Sequence, residues 1–300
     1  MPTLRTPDDR FANLPDFDYE PRYASVPSPD GELRMAYVDE GPAHGPVALL
    51  LHGEPSWSFL YRHVIRVLTG RGIRCVAPDL VGFGRSDKPS ETAAHTYAGH
   101  VEWMRSLAFD TLDLTDVTLV GQDWGGLIGL RLAGEHPGRF ARIVAANTGL
   151  PTGDTDMPKV WWQFRRAVEA AETLDIGRFV QSGCRTPMTD QVRAAYDAPF
   201  PDESFKAGPR AMPALVPTRT DDPATDANRA AWARLTHSET PFLVAFSDGD
   251  PITAAMAPIL RRSMPGAQGQ PHTVIANAGH FLQEDAGERL GEVVADFVHG

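Results

Sequence analysis

Residues 117–129 read VTLVGQDWGGLIG, and this stretch decides how the rest of the chain is interpreted. Residues 117–120 are a short, largely β-branched run of the kind that forms a buried strand. Apolar residues then recur at helical spacing from Leu127 onward, and the pattern ends near His136 and Pro137. The stretch therefore predicts a strand, a very short turn and a helix.

The predicted turn carries Gly121, Asp123 and Gly125 at alternate positions. The two glycines permit a turn too tight for side chains, so we expect residue 123 to project from a strained backbone at the top of a sheet. This pattern resembles the nucleophile elbow of α/β-hydrolases, in which the projecting residue is usually serine. A helix N-cap is the alternative interpretation of Asp123, and the rest of the chain must decide between the two.

An aspartate at this position implies a chemistry different from that of serine. A serine alkoxide attacks a carbonyl carbon, whereas a carboxylate can displace a leaving group from an sp³ carbon. The product is an ester of the enzyme's own side chain, which water can then cleave. Asp123 therefore points to substrates such as alkyl halides or epoxides, and away from esters and peptides.

Composition narrows the class of protein. The 300 residues are 42% hydrophobic and 22% charged, which is ordinary for a globular chain, and their formal net charge of −11 argues against binding to nucleic acid or anionic membranes. Cys75 and Cys184 are the only cysteines, so no disulfide framework is indicated. The first residues lack the apolar core of a secretory signal, and no apolar run is long enough to span a bilayer. We therefore expect a soluble, cytoplasmic monomer with neither nucleic-acid nor membrane partners.

Strand-like and helix-like segments alternate along most of the chain. Residues 1–30 are rich in proline and aromatic residues, and we expect them to lie across the domain as an extended arm. Strands are predicted at residues 34–39, 47–51, 74–78, 117–120, 141–146, 242–246 and 272–276. Helices are predicted around the apolar stripes of residues 60–68, 97–112, 127–133 and 290–297. This alternation is typical of βα units and a mostly parallel sheet.

The alternation breaks after residue 150. Residues from about 155 to 230 have the pattern of helices joined by proline-rich turns, with no convincing strand. We interpret residues 151–232 as a helical cap inserted between two parts of an α/β-hydrolase core, residues 1–150 and 233–300. The predicted fold is thus an α/β-hydrolase fold, with a mostly parallel central sheet flanked by helices.

Polar residues follow three predicted strands at their carboxyl ends, where open α/β sheets place their sites. Asp123 follows one strand, residues 247–251 (SDGDP) follow another, and residues 277–281 (NAGHF) follow the last. Nucleophile, acid and histidine then occur in the chain order of α/β-hydrolases. His280 is the candidate general base and Asp250 the candidate partner of its other ring nitrogen, with Asp248 as the rival acid.

Two further features concern charge that develops during a reaction. Residues 52–55 (HGEP) would bring the backbone N–H of Glu54 beside that of Trp124, and the two donors could stabilise an oxyanion on Asp123. A plain strand-to-helix turn is the alternative explanation of the glycine and proline in that segment. The indole N–H of Trp124 is a donor at the edge of a large apolar ring, which suits a halide leaving in a dry pocket.

Four segments together make the chain similar to the haloalkane dehalogenases. They are residues 52–58 (HGEPSWS), 122–126 (QDWGG), 198–202 (APFPD) and 278–281 (AGHF). The resemblance runs from about residue 20 to 298 and is closest to the branch with Glu after His-Gly and an Asp acid after the late strand. In that branch a cap tryptophan helps to hold the halide, which implies Trp161, although its neighbour Trp162 is an alternative.

The resemblance implies a reaction in two steps. Asp123 displaces halide from a haloalkane while Trp124 and Trp161 stabilise the leaving ion, and water activated by His280 then hydrolyses the ester to the primary alcohol. Substrate, halide and water are the implied partners, and neither a cofactor nor a metal is implied.

Three other functions are known for proteins with a similar fold, and the sequence favours each of them less. An epoxide hydrolase would normally need two cap tyrosines, and only Tyr196 lies in the predicted cap. A fluoroacetate-type dehalogenase would carry arginine where Trp124 stands. A non-catalytic small-molecule receptor of this fold need not retain nucleophile, acid, base and halide donors together.

Overall fold

The computed structural model describes residues 2–300, and its centre is an eight-stranded sheet. The strands in chain order are β1 (Thr3–Leu4), β2 (Arg22–Ser28), β3 (Gly31–Glu40), β4 (Val47–Leu51), β5 (Arg74–Pro78), β6 (Lys88–Pro89), β7 (Val117–Gln122), β8 (Phe140–Ala146), β9 (Phe242–Ser247) and β10 (Thr273–Ile275). The order across the large sheet is β2-β3-β5-β4-β7-β8-β9-β10, while β1 and β6 form a separate antiparallel pair. Strands β4, β5, β7, β8, β9 and β10 run parallel to one another. At one edge, β3 pairs antiparallel with β5, and β2 pairs antiparallel with β3.

Ten α-helices connect and cover the strands. They are α1 (Arg62–Gly70), α2 (Tyr97–Arg105), α3 (Trp124–Glu135), α4 (Lys159–Ala170), α5 (Ile176–Ser182), α6 (Asp190–Asp197), α7 (Ala207–Leu215), α8 (Thr225–Leu235), α9 (Met256–Ser263) and α10 (Leu282–His299) within the described part of the chain. All six residues of β7 and all six of β9 are buried. Because alternate residues of a strand face opposite sides of the sheet, helices must cover both faces of these strands.

The predicted mostly parallel α/β sheet is confirmed, with one difference at its edge. Residues 22–28 form strand β2 on β3, although the sequence analysis placed them in an extended arm. Pro27 obscures the strand pattern in the sequence, but an edge strand tolerates a residue that cannot donate to a neighbour. The first part of the arm does cross the molecule, since the Thr6 hydroxyl donates to the Pro199 carbonyl at 2.6 Å.

Helices α4 to α8 occupy the segment between β8 and β9, and no strand interrupts them in the described chain. α5 packs against α6, and α4 packs against α7. α8 packs closely on α3, where a Cβ at Gly134 would lie 2.7 Å from the Cα of Ala231. Within residues 2–300, no helix is both long and apolar enough to cross a membrane.

Candidate active site

Asp123 lies in the sharp turn between β7 and α3. Its backbone has φ 49° and ψ −125°, a combination that L-residues rarely adopt and that persists only where the surrounding structure enforces it. The turn is closed by a very near approach of two backbones, because a Cβ at Gly125 would lie 2.0 Å from the Leu51 carbonyl oxygen. The predicted tight turn is therefore present, and it presents the Asp123 carboxylate above the carboxyl ends of β4 and β7.

The loop after β4 covers this carboxylate. The backbone N–H of Glu54 donates to Asp123 Oδ1 at 2.9 Å. A Cβ at Gly53 would lie 2.4 Å from that same oxygen, so only glycine allows the loop to approach so closely. Burial, together with the charge of Asp123, raises the pKa of the Glu54 side chain well above its usual range.

His280 lies between two carboxylates. Its Nε2 is 3.4 Å from Asp123 Oδ2, and its Nδ1 is 3.1 Å from Asp250 Oδ1. The Nδ1 contact is off the direction of a linear hydrogen bond, so its attraction is mainly electrostatic. Burial alone would lower the pKa of His280, but the negative charges of Asp250 and Asp123 and their polar contacts raise it to about 10.

Asp250 is held rigidly, and its side chain is fully buried. Its carboxylate accepts the backbone N–H groups of Ile252 at 2.9 Å and Thr253 at 3.2 Å, as well as the Thr253 hydroxyl. Burial would raise the pKa of Asp250, but the contact with His280 and these hydrogen bonds lower it to about 2. Asp250 therefore stays ionised beside the imidazole.

The rival acid, Asp248, has a different environment. Its carboxylate accepts the backbone N–H groups of Asn277 at 3.1 Å and Ala278 at 3.3 Å, and Arg185 lies 3.7 Å away. Asp248 thus supports the loop that carries His280, whereas Asp250 contacts the His280 ring itself.

A cavity of about 560 Å³ opens above Asp123. Both Trp124 and Trp161 line it, together with apolar side chains such as Leu127, Phe164, Val216 and Ile252. Trp162 packs edge-on against Trp161, with ring centroids 4.8 Å apart. Of the two cap tryptophans, Trp161 is therefore the one that faces the cavity.

Comparison with known proteins gives the family. Residues 46–287 match the α/β hydrolase fold family. The chain is 52% identical over 300 residues to a haloalkane dehalogenase of Psychrobacter cryohalolentis, covering all of this chain and 99% of the relative. It is 50% identical over 293 residues to a haloalkane dehalogenase of Mycolicibacterium paratuberculosis, covering 97% of each chain. The chain belongs to the haloalkane dehalogenases of the α/β-hydrolase superfamily.

A solved structure agrees with this assignment. The haloalkane dehalogenase DpaA from Paraglaciecola agarilytica NO2 superposes with a TM-score of 0.90 at 35% sequence identity, covering 97% of both chains. That relative is described as a tetramer. The present dehalogenase is accordingly a hydrolase that acts on carbon–halide bonds, and the resemblance found in the sequence is confirmed.

Two side chains of this dehalogenase contact the histidine but were missed by the sequence analysis. The Asn147 amide donates to the carbonyl oxygens of Gly279 at 2.9 Å and His280 at 3.0 Å. The Gln122 amide nitrogen lies 3.2 Å from both the carbonyl oxygen and Nε2 of His280. Gln122 is the last residue of β7 and Asn147 directly follows β8, so both lie at the carboxyl edge of the sheet, and that position was the available signal.

Proposed function

We propose that this dehalogenase converts haloalkanes to the primary alcohol, halide and a proton through a covalent ester on Asp123. The observation that supports this most is the setting of the Asp123 carboxylate, with Oδ1 accepting the Glu54 N–H and Oδ2 facing His280. In the first step a carboxylate oxygen attacks the halogen-bearing carbon in line. The carbon–halogen bond breaks, and the halide leaves with the bonding electron pair.

The hydrogen bond on Oδ1 suggests which oxygen attacks. Because Oδ1 is already held by the Glu54 N–H, Oδ2 is the freer nucleophile, and Oδ1 becomes the carbonyl oxygen of the ester. That carbonyl oxygen takes up negative charge when water adds in the second step. The N–H groups of Glu54 and Trp124 then form the oxyanion hole that stabilises this charge.

The departing halide needs donors in an environment that excludes water. The indole N–H groups of Trp124 and Trp161 fulfil this role, since both side chains line the same largely apolar cavity and are almost fully buried. A hydrogen bond to an ion is stronger than one between neutral groups, and low polarity strengthens it further.

The second step requires a base. His280 takes a proton from water, and the resulting hydroxide adds to the ester carbonyl. As the intermediate collapses, the C–O bond to the alkoxide breaks, and the alkoxide takes the proton from His280 and leaves as the alcohol. The Asp123 carboxyl group that remains ionises and so releases the net proton. Asp250 stabilises the imidazolium that forms. Alkylation itself prepares the base, because it removes the Asp123 charge that helps to raise the pKa of His280.

Epoxide hydrolysis is less consistent with the structure. The one tyrosine of the predicted cap, Tyr196, is fully buried, and its hydroxyl donates to Glu284 Oε2 at 2.6 Å. Glu284 in turn pairs with the buried Arg62 at 2.6 Å. Tyr196 is therefore committed to an ion-pair network and not to protonating an epoxide oxygen.

The separation of the two steps gives the decisive experiment. Displacement of bromide needs no base, whereas hydrolysis of the ester does. We expect His280→Gln to release about one bromide per active site and then stop, and its intact mass should rise by that of the alkyl group. Peptide mapping should place the adduct on Asp123, and Asp123→Ala should give neither burst nor adduct. Sustained turnover by His280→Gln, or an adduct elsewhere, would contradict the mechanism.

We also propose that residues 151–232 form the cap, that the protein is a monomer and that it is cytoplasmic. Sedimentation equilibrium tests the monomer directly, and the tetrameric relative makes this measurement informative.

A further inference from the structure

The Gln122 side chain is an unexplained polar group in the interior of the protein. It is fully buried at the end of β7, directly before the proposed nucleophile. Its Oε1 has no hydrogen-bond partner among residues 2–300. Such groups are rare in folded proteins because an unpaired buried amide is costly. Since Oε1 gains no hydrogen bond that would offset this cost, we looked for the reason for burying the amide in the contacts of its other end, Nε2.

The orientation of the amide follows from its neighbours. Nε2 lies 3.2 Å from the carbonyl oxygen of His280, which can only accept a hydrogen bond. Rotating the amide by half a turn would set Oε1 against that carbonyl, two acceptors facing each other. The N–H₂ group must therefore be the end that faces His280. The same nitrogen is then a donor 3.2 Å from the ring atom Nε2.

We propose that Gln122 is a positioning residue for the general base, donating to the Nε2 lone pair and so holding the imidazole with its proton on Nδ1, toward Asp250. This proposal rests on the function assigned to His280 above. Only that tautomer carries a lone pair on Nε2, and the attacking water must replace the Gln122 amide at this lone pair before it gives up its proton. A protonated Nε2 would instead point a second N–H at the amide, which disfavours the imidazolium.

The charged groups around His280 show when this contact matters. Asp250 faces the ring from the loop after β9 and Asp123 from the elbow, and the Glu54 carboxyl lies nearby on the loop after β4. The cap contributes the Gly183 carbonyl, which accepts the backbone N–H of His280. In the resting enzyme, Asp123 attracts a proton to Nε2. Once Asp123 is an uncharged ester, that attraction is lost, and Gln122 favours the free base.

An equilibrium test uses Asp123→Asn, which imitates the uncharged ester and cannot be alkylated. Nitrogen-15 NMR of its histidine side chains should show, for neutral His280, a protonated Nδ1 and an unprotonated Nε2. The added change Gln122→Met, similar in size but unable to donate, should raise the pKa of His280 by roughly 0.5–1 unit. A proton on Nε2, or an unchanged pKa, would overturn the proposal.

A kinetic test uses Gln122→Met alone. The first bromide should be released at the wild-type rate, while ester hydrolysis at neutral pH should slow roughly three- to tenfold. The acid limb of the hydrolysis profile should move to higher pH, so that the rate recovers in alkaline solution. Equal slowing of both steps, or slowing that no pH relieves, would show that Gln122 merely supports the fold.

The matched control is Gln283→Met, which removes another fully buried glutamine amide, on α10. In Gln283→Met, the acid limb of the pH profile of ester hydrolysis should lie at the same pH as in the wild type. The alkyl adduct expected on His280→Gln tests the two-step mechanism separately from the role of Gln122. If no adduct forms, the proposed function fails, whereas the NMR result still decides the tautomer.

Discussion

The backbone N–H of His280 donates to the carbonyl oxygen of Gly183 at 2.7 Å. The proposed base is thus attached to the segment between α5 and α6, in the proposed cap, although it lies on the loop after β10. A Cβ at Gly279 would lie 2.3 Å from the same Gly183 oxygen, so the two loops are in close contact. The position of the base therefore depends on how the cap segment 183–186 is seated.

The Asp285 carboxylate fastens these two loops together, and its loss should loosen both. It accepts the backbone N–H groups of Arg185 at 2.9 Å, Thr186 at 2.7 Å and Gly279 at 2.8 Å. Asp285→Asn removes the charge and turns an N–H₂ group toward some of these donors. We expect the free energy of unfolding in urea to fall by about 1–3 kcal/mol, with a lower kcat.

Glu288→Gln is the control for Asp285→Asn, because Glu288 is an exposed acid of α10 that pairs with Arg66 on the surface. It should change stability by less than about 0.5 kcal/mol. Equal stability of both variants would show that the Asp285 contacts contribute little.

The two candidate acids can be separated by matched amide substitutions. Asp250→Asn leaves His280 without the charge that stabilises its protonated form, so ester hydrolysis should slow by about 100-fold or more. Bromide release in the first turnover should be nearly unchanged. Asp248→Asn should affect hydrolysis only a few-fold, because Asp248 supports the histidine loop through backbone N–H groups. Rapid-quench measurement of both steps makes the comparison, and the reverse order would identify Asp248 as the acid.

The cap tryptophans offer a similar comparison for halide binding. Trp161→Phe and Trp124→Phe each keep most of the ring and delete one donor to the ion, which should weaken bromide binding by about 1.5–3 kcal/mol. Trp162→Phe should have little effect, because Trp162 packs behind Trp161. Inhibition of turnover by added bromide measures all three. Weaker inhibition in Trp162→Phe with normal inhibition in Trp161→Phe would reverse the assignment.

A buried histidine pair should make stability depend on pH. The rings of His95 and His100 stack with centroids 5.4 Å apart, and His95 Nδ1 lies 3.3 Å from His100 Nε2. Burial lowers the pKa of both, and for His100 the neighbouring His95 lowers it further. Below about pH 6.5 the unfolded chain binds protons that the folded chain does not, so the stability present above that pH is lost as the pH falls.

His100→Gln should therefore flatten the decline in unfolding free energy between pH 6.5 and about pH 5, without abolishing it, since His52 is buried with a lowered pKa as well. The exposed His44 provides the control, and His44→Gln should keep the wild-type slope. Urea unfolding at several pH values measures the slope. An unchanged slope in His100→Gln would mean that the pair stays unprotonated for another reason.

The sequence by itself determined the sheet, the elbow and the position of the proposed base. Runs of buried, β-branched residues and apolar stripes are local signals, and β4 and β5 begin and end where they were predicted. The positions of Asp123 and His280 in the site could also be predicted, because the carboxyl ends of parallel strands lie at one edge of the sheet whatever the details of packing. Strand β2 could not be predicted from the sequence, since a short edge strand with a proline lacks the pattern of a buried strand.

Only the tertiary structure decided between neighbours in the chain. Asp248 and Asp250 are two residues apart and chemically identical, and the turn after β9 alone sends one to the backbone of the histidine loop and the other to the imidazole. Trp161 and Trp162 are adjacent on α4, and the rotation of that helix against the core selects which ring faces the cavity. The contact between Gln122 and His280 joins residues 158 positions apart. A local pattern carries no information about such a pairing, because it exists only once β7 and the loop after β10 are packed together.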